Sequence, residues 1–66
     1  MMEESERLAR FEAVLADWAA EWESVTATLE ALCAQGKTRT ATYQQLTARK
    51  LTLKSMLAPF EERGLL

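Results

Sequence analysis

The segment ALCAQGKT, residues 31–38, places glycine, lysine and threonine in the order found in phosphate-binding loops. In those loops a strand leads into a glycine-rich turn whose amides converge on phosphate at the start of the next helix. Here the residues before Gly36 have helix-forming chemistry, so Gly36 falls at a helix C-terminus, where the dipole repels anions. We therefore predict a helix end and a short link at this position, with no nucleotide site and no cofactor.

Groups for nucleophilic or acid–base catalysis are scarce in this chain. It has no histidine and one cysteine, Cys33, which argues against disulfide frameworks, zinc-finger spacings and His-dependent catalytic pairs. Cys33 is interpreted as a half-buried structural thiol. Glu61 and Glu62 are adjacent and point in different directions on a helix, so they do not form an acid–base pair. The sequence therefore predicts no enzymatic activity and no metal site.

A basic stretch covers residues 37–54, which carry five cations and no carboxylate. Threonine, glutamine and tyrosine separate the cations, and this composition suits contact with phosphate oxygens. Alternatively, the cations balance the acidic first half of the chain, and the net charge of −2 opposes avid binding to a polyanion. The candidate nucleic-acid contacts are Lys37, Arg39, Arg49, Lys50 and Lys54.

Part of the second half resembles winged helix-turn-helix proteins. Residues 54–66, ending in FEERGLL, look like the end of a recognition helix, and residues 42–46, TYQQL, are similar to the helix before it. The resemblance departs from the pattern at Pro59, which interrupts the recognition helix, and near Leu51, where no glycine marks the turn. It implies two helices joined by a turn near Leu51, the second of them contacting DNA.

Helices must position all of these residues. In the first half, large apolar residues alternate three and four positions apart, which is the a/d pattern of a coiled coil and predicts a helix over 4–35 that stops at Gly36. Alanine recurs every seven residues at positions 13, 20, 27 and 34. These alanines indicate either helix propensity on an exposed face or the close approach of another helix.

A second helix is predicted over 40–58, capped by Thr38 or Thr40. Pro59 is expected to kink or end it, with a short helical turn at 59–63 and a Schellman motif at Gly64. Lys50 interrupts the apolar stripe of this helix and must snorkel or pair, with Glu21 as a candidate partner. The residues expected on its inner side are Tyr43, Leu46, Leu53, Met56, Leu57 and Phe60.

A link of four residues, 36–39, joins the helices as an antiparallel hairpin, so residues 1–66 form a single domain. This pairing places Leu65 and Leu66 near Phe11 and Leu8. Residues 1–35 contain eight acidic and two basic groups, a net charge of −6, whereas residues 36–66 contain six basic and two acidic groups, a net charge of +4. The two helices therefore attract each other within one molecule or between two.

The predicted fold class is all-α, a two-helix antiparallel hairpin that dimerises into a four-helix bundle. A hairpin of 66 residues is short of core, so we expect self-association. The expected interaction seam consists of Leu8, Phe11, Leu15, Trp18, Trp22, Val25, Leu29, Leu32, Leu46, Leu53, Leu57 and Phe60.

The leading functional hypothesis is an oligomerisation or protein-interaction module without catalytic activity. Its expected partners are further copies of the chain, as a homodimer or a higher homo-oligomer, and another protein. The alternative is a small dimeric nucleic-acid-binding or regulatory protein that uses the basic second helix. The acidic N-terminus and the short apolar runs predict a cytoplasmic protein with no membrane association.

Overall fold

The computed structural model describes residues 3–66, which form two helices, α1 (Glu4–Ala34) and α2 (Ala41–Glu62), packed side by side. No strand occurs in this part of the chain. The predicted all-α hairpin is confirmed, and the bounds of the first helix agree with the prediction to one residue. The hairpin is elongated and measures 50 × 23 × 15 Å.

The link between the helices starts at Gly36, which adopts a φ of +71° just after the end of α1. The N–H of Lys37 donates to the C=O of Leu32 over 2.8 Å and closes a Schellman motif. At the other end of the link, Thr40 Oγ1 accepts a hydrogen bond from the N–H of Tyr43 over 3.2 Å. Thr40 rather than Thr38 is therefore the N-cap of α2.

The second helix continues through Pro59 to Glu62, so it does not end at residue 58 and restart. The proline has no N–H to donate to the C=O of Ser55, but the backbone remains helical on both sides of this missing hydrogen bond. The guanidinium of Arg63 donates to the C=O of Pro59 over 3.2 Å and satisfies a carbonyl of the last turn. Residues 42–46 and 54–62 thus lie on one uninterrupted helix, which contradicts the helix-turn-helix resemblance.

The predicted Schellman motif at Gly64 is confirmed by its φ of +71° and by a hydrogen bond of 2.9 Å donated by the N–H of Leu65. This left-handed residue turns the chain back, so Leu66 lines a groove beside the middle of α1. The prediction that Leu66 lies near Phe11 and Leu8 is wrong, because it assumed that the chain continues in the direction of α2.

The core of the hairpin is small, and within residues 3–66 only Leu53 is fully buried, with an exposed fraction of 0%. The inner side predicted for α2 is confirmed, since all six of its residues are buried or half-buried, while Leu51 points outward with 62% exposed. The buried residues are Leu15, Val25, Leu29, Leu53 and Leu57. The half-buried apolar residues packed on the central cluster are Trp18, Trp22, Tyr43, Leu46 and Met56.

The two helices differ in length, with 31 residues in α1 and 22 in α2. At a rise of 1.5 Å per residue they span about 46 and about 33 Å, so the N-terminal turns of α1 extend beyond the end of α2. Leu8 is therefore 56% exposed and Phe11 45% exposed. From Leu15 onward the heptad residues are buried or half-buried, whereas Leu8 and Phe11, at the start of the predicted seam, remain exposed.

One buried hydroxyl in the hairpin lacks a partner. Thr26 Oγ1 is buried and has no hydrogen-bond partner within residues 3–66. Because a buried polar group without a partner costs about 1–3 kcal/mol, the nearly isosteric substitution Thr26→Val should raise the free energy of unfolding by about 1 kcal/mol. Urea denaturation measures this change.

The matched control is Thr28→Val on the same helix. Thr28 is exposed and its Oγ1 donates to the C=O of Ser24 over 2.9 Å, so the same substitution removes a satisfied, solvated group. We expect little change in stability for this variant. Equal effects of the two substitutions would show that helix propensity, rather than the buried hydroxyl of Thr26, sets the result.

Candidate interaction surface

Three aromatic rings meet where the end of α2 contacts α1. The ring of Phe60 lies 5.6 Å from that of Phe11 and 6.1 Å from that of Trp18, centroid to centroid, in tilted and edge-on arrangements that favour aromatic pairs. Val14 lies beside them and is 47% exposed. We call Phe11, Val14, Trp18 and Phe60 the aromatic face; they line a shallow groove in which Arg10 is the charged member.

The helix geometry explains this grouping. Phe11 and Trp18 are seven residues apart at d positions of the heptad, and Val14 occupies the g position between them, so all three lie on one side of α1. Phe60 reaches them from the last turn of α2. Since α2 ends here, nothing among the described residues covers the outer side of this cluster.

An ion pair lies farther along the same side of α1, at the next g position, Glu21. Arg49 Nε donates to Glu21 Oε2, and Arg49 Nη2 donates to Glu21 Oε1 over 2.8 Å, which gives a bidentate contact between the helices. The hydrogen bonds from Arg49, together with its charge, hold the pKa of Glu21 below its ordinary value. The pair therefore links α1 to α2 through a partly exposed contact.

The lowered pKa of Glu21 gives a pH-dependent prediction. Its contribution to folding is complete above about pH 5, where glutamate is ionised in folded and unfolded chains alike, and it is lost as the pH falls through the lowered folded-state pKa. The substitution Glu21→Gln should therefore lower the melting temperature at neutral pH, and the difference from the unchanged protein should shrink with acidification.

Thermal melts of Glu21→Gln and of the unchanged protein, at pH values between about 7 and about 2.5, measure this difference in melting temperature. The control is Glu30→Gln, an exposed glutamate on the same helix. A Glu21→Gln difference that stays constant down to the lowest pH would contradict the role of the ion pair.

A second groove lies on the opposite side of the contact line between the helices. Trp22 and Leu57 line it, and Lys50 Nζ lies 5.2 Å from the centroid of the Trp22 ring, a cation–π distance. The sequence offered Glu21 as a candidate partner for Lys50, but Arg49 binds that carboxylate and Lys50 packs over the indole instead. The residues lining this Trp22 groove are Ala19, Trp22, Glu23, Lys54, Leu57, Glu61 and Leu66.

The five candidate nucleic-acid contacts do not converge on one surface. Arg49 is bound to a carboxylate on one side of the hairpin, and Lys50 lies over Trp22 on the other. Lys54 lines the Trp22 groove together with Glu23 and Glu61, while Lys37 and Arg39 are exposed in the link. The structure therefore uses much of the basic charge of α2 for contacts with, or close to, the acidic α1.

Two further sequence predictions concern the outer side of α1. Cys33 is exposed rather than half-buried, because it lies in the last turn of α1 at an e position beside the seam rather than in it. The alanines of the seven-residue repeat are also exposed, so α2 does not pack against them. Val14 was not among the predicted seam residues, although an apolar side chain at a g position beside an a/d seam was a usable signal.

In residues 3–66, no group of three or more histidine, cysteine, aspartate or glutamate residues is placed to hold a metal ion, and neither helix is long and apolar enough to cross a membrane. No protein-family model, curated protein or solved structure matches this chain. The candidate site is the exposed apolar surface of the hairpin.

Proposed function

We propose that this protein is a self-associating helical module, in which two hairpins pack into a four-helix bundle. The observation that supports it best is the exposed area of the single chain, 5241 Å². A folded monomer of 7.5 kDa exposes about 4,200 Å². The excess, roughly 1,000 Å², is slightly more than the ~800 Å² that each partner buries in a standard protein interface.

The shape of the hairpin supports the same proposal. Its radius of gyration is 15.2 Å, whereas a compact chain of 66 residues has about 11 Å. Two helices form one layer, and a layer with apolar residues on its surface normally packs against another. The exposed residues Leu8, Phe11 and Val14 supply such a surface.

The concentration dependence of thermal unfolding tests this proposal. When folding is coupled to association, dilution favours the unfolded chain, so the melting temperature should rise with protein concentration. We expect an increase of several degrees between about 1 and about 100 µM, followed by circular dichroism. A melting temperature that does not change over this range would overturn self-association.

Nucleic-acid binding, the alternative from the sequence, receives less support from the geometry. Phosphate contacts need cations that are free and that share a surface. The partners of Arg49 and Lys50 lie within the hairpin, on opposite sides of it. The exposed cations of the link, Lys37 and Arg39, make a small patch beside a chain of net charge −2.

A further inference from the structure

We propose that the aromatic face is the surface on which a second copy of this chain docks, with both hairpins pointing in the same direction. In this arrangement α1 of each copy lies antiparallel against α2 of the other copy, so that every neighbouring pair of helices in the bundle is antiparallel. The inference rests on the proposed self-association and adds the surface and the orientation to it.

The location follows from exposure and surroundings. Phe11 and Val14 are 45% and 47% exposed and adjoin the half-buried rings of Trp18 and Phe60, so the face is apolar and partly uncovered. Arg10 lies at its edge, and the Glu21–Arg49 pair lies farther along the same side of the hairpin. An aromatic centre with charged residues at its margin is the usual anatomy of a protein interface.

The charges of the two helices favour one orientation. The half of the chain that contains α1 has a net charge of −6, and the half that contains α2 has +4. With a two-fold axis parallel to the helices, each acidic α1 faces the basic α2 of the other copy. With the axis across the helices, the hairpins point in opposite directions and acidic α1 faces acidic α1, which is repulsive.

The position of the aromatic face favours the same orientation. Phe60 lies in the last turn of α2, so the face is at the open end of the hairpin, far from the link at residues 35–40. Two hairpins that point in the same direction bring both open ends together and overlap along their whole length. Two hairpins that point in opposite directions bring the aromatic faces together only by overlapping at their open ends, which buries much less surface.

A pair of matched substitutions tests the surface. Val14→Arg places a charge on the aromatic face, and Leu51→Arg places the same charge on the outer side of α2, at a residue 62% exposed. Both changes occur on exposed helix positions where arginine is a good helix former, so the fold of each chain should tolerate them. We expect Val14→Arg to raise the dimer dissociation constant at least about 100-fold, and Leu51→Arg to leave it within about threefold of the unchanged protein.

A second measurement on the unmutated chain tests the orientation and does not depend on the folding of a variant. Cys33 is exposed and is the only cysteine, so a spin label on it reports the distance between the two copies. The proposed arrangement keeps both labels at the link end of the bundle, about 20–30 Å apart. The opposite orientation, centred on the aromatic face, separates them by about 55 Å, because Val14 and Cys33 are 19 residues apart along the helix in each copy.

The outcomes separate this inference from the proposed function. A dimer that tolerates Val14→Arg, or that is lost equally with Leu51→Arg, overturns the aromatic face as the docking surface. A label distance near 55 Å overturns the orientation. Both results leave self-association in place, whereas a monomer at every concentration overturns self-association and this inference together.

Discussion

Substituting Leu53 by alanine should leave most of the protein unfolded at room temperature, so that its denaturation curve shows no cooperative transition. Leu53 is the one side chain of the described chain that is fully buried, and it joins Val25 and Leu29 in the central cluster. Leucine-to-alanine changes at buried sites cost about 2–5 kcal/mol, since they lose apolar burial and leave a cavity. The free energy of unfolding of a small domain is itself only a few kcal/mol, so most of the variant should be unfolded.

Leu51→Ala is the matched control for this experiment. It makes the same chemical change two residues away on the same helix, at a side chain that is 62% exposed. Its stability should stay within about 0.5 kcal/mol of the unchanged protein. Chemical denaturation of both variants decides the matter, and similar losses at Leu51 and Leu53 would mean that the two helices do not pack in the register described.

Replacing Pro59 with alanine should have a large effect of the opposite sign. The proline lies inside α2 and denies the C=O of Ser55 its helical partner. Proline in a helix interior is about 3 kcal/mol less favourable than alanine, and the position near the end of α2 reduces this cost. We therefore expect Pro59→Ala to raise the free energy of unfolding by about 1–3 kcal/mol.

Glu62→Ala is the control for that substitution, because it changes an exposed residue of the same last turn without altering a backbone donor. We expect it to change stability by less than about 0.5 kcal/mol. A loss of stability in Pro59→Ala would indicate that the proline sets the backbone path that carries Phe60 to Phe11 and Trp18.

Periodicity predicted the helices well, since each signal was local. The alternating spacing from Leu8 to Leu32 and the stop at Gly36 gave α1 to within one residue, and Thr40 was one of two proposed caps. The inner side of α2 was also predicted correctly, because the apolar stripe of an amphipathic helix identifies the face that packs. Pro59 was harder to place, because a proline near a helix end is compatible with both a break and a continuation.

The contacts between the helices were less predictable, because they depend on the relative lengths of α1 and α2 and on which of two neighbouring side chains reaches a given partner. Leu8 and Leu29 occupy equivalent positions of the heptad, yet the shorter α2 covers only Leu29. Arg49 and Lys50 are adjacent and both face α1, and the sequence does not show which one reaches Glu21. The side of α2 on which each residue lies decides it: Arg49 lies on the side of the hairpin that carries Glu21, whereas Lys50 lies over Trp22 on the other side. The two parallel donors of the guanidinium then match the carboxylate.

Sedimentation equilibrium of the unmodified chain at micromolar concentrations tests self-association most directly. A single chain has a mass of 7.5 kDa, and the proposed bundle predicts a species of twice that mass whose population falls on dilution, together with loss of helix in the dissociated chain. A species of 7.5 kDa at every concentration that still unfolds cooperatively would contradict the account, because the hairpin would then be stable with its aromatic face exposed.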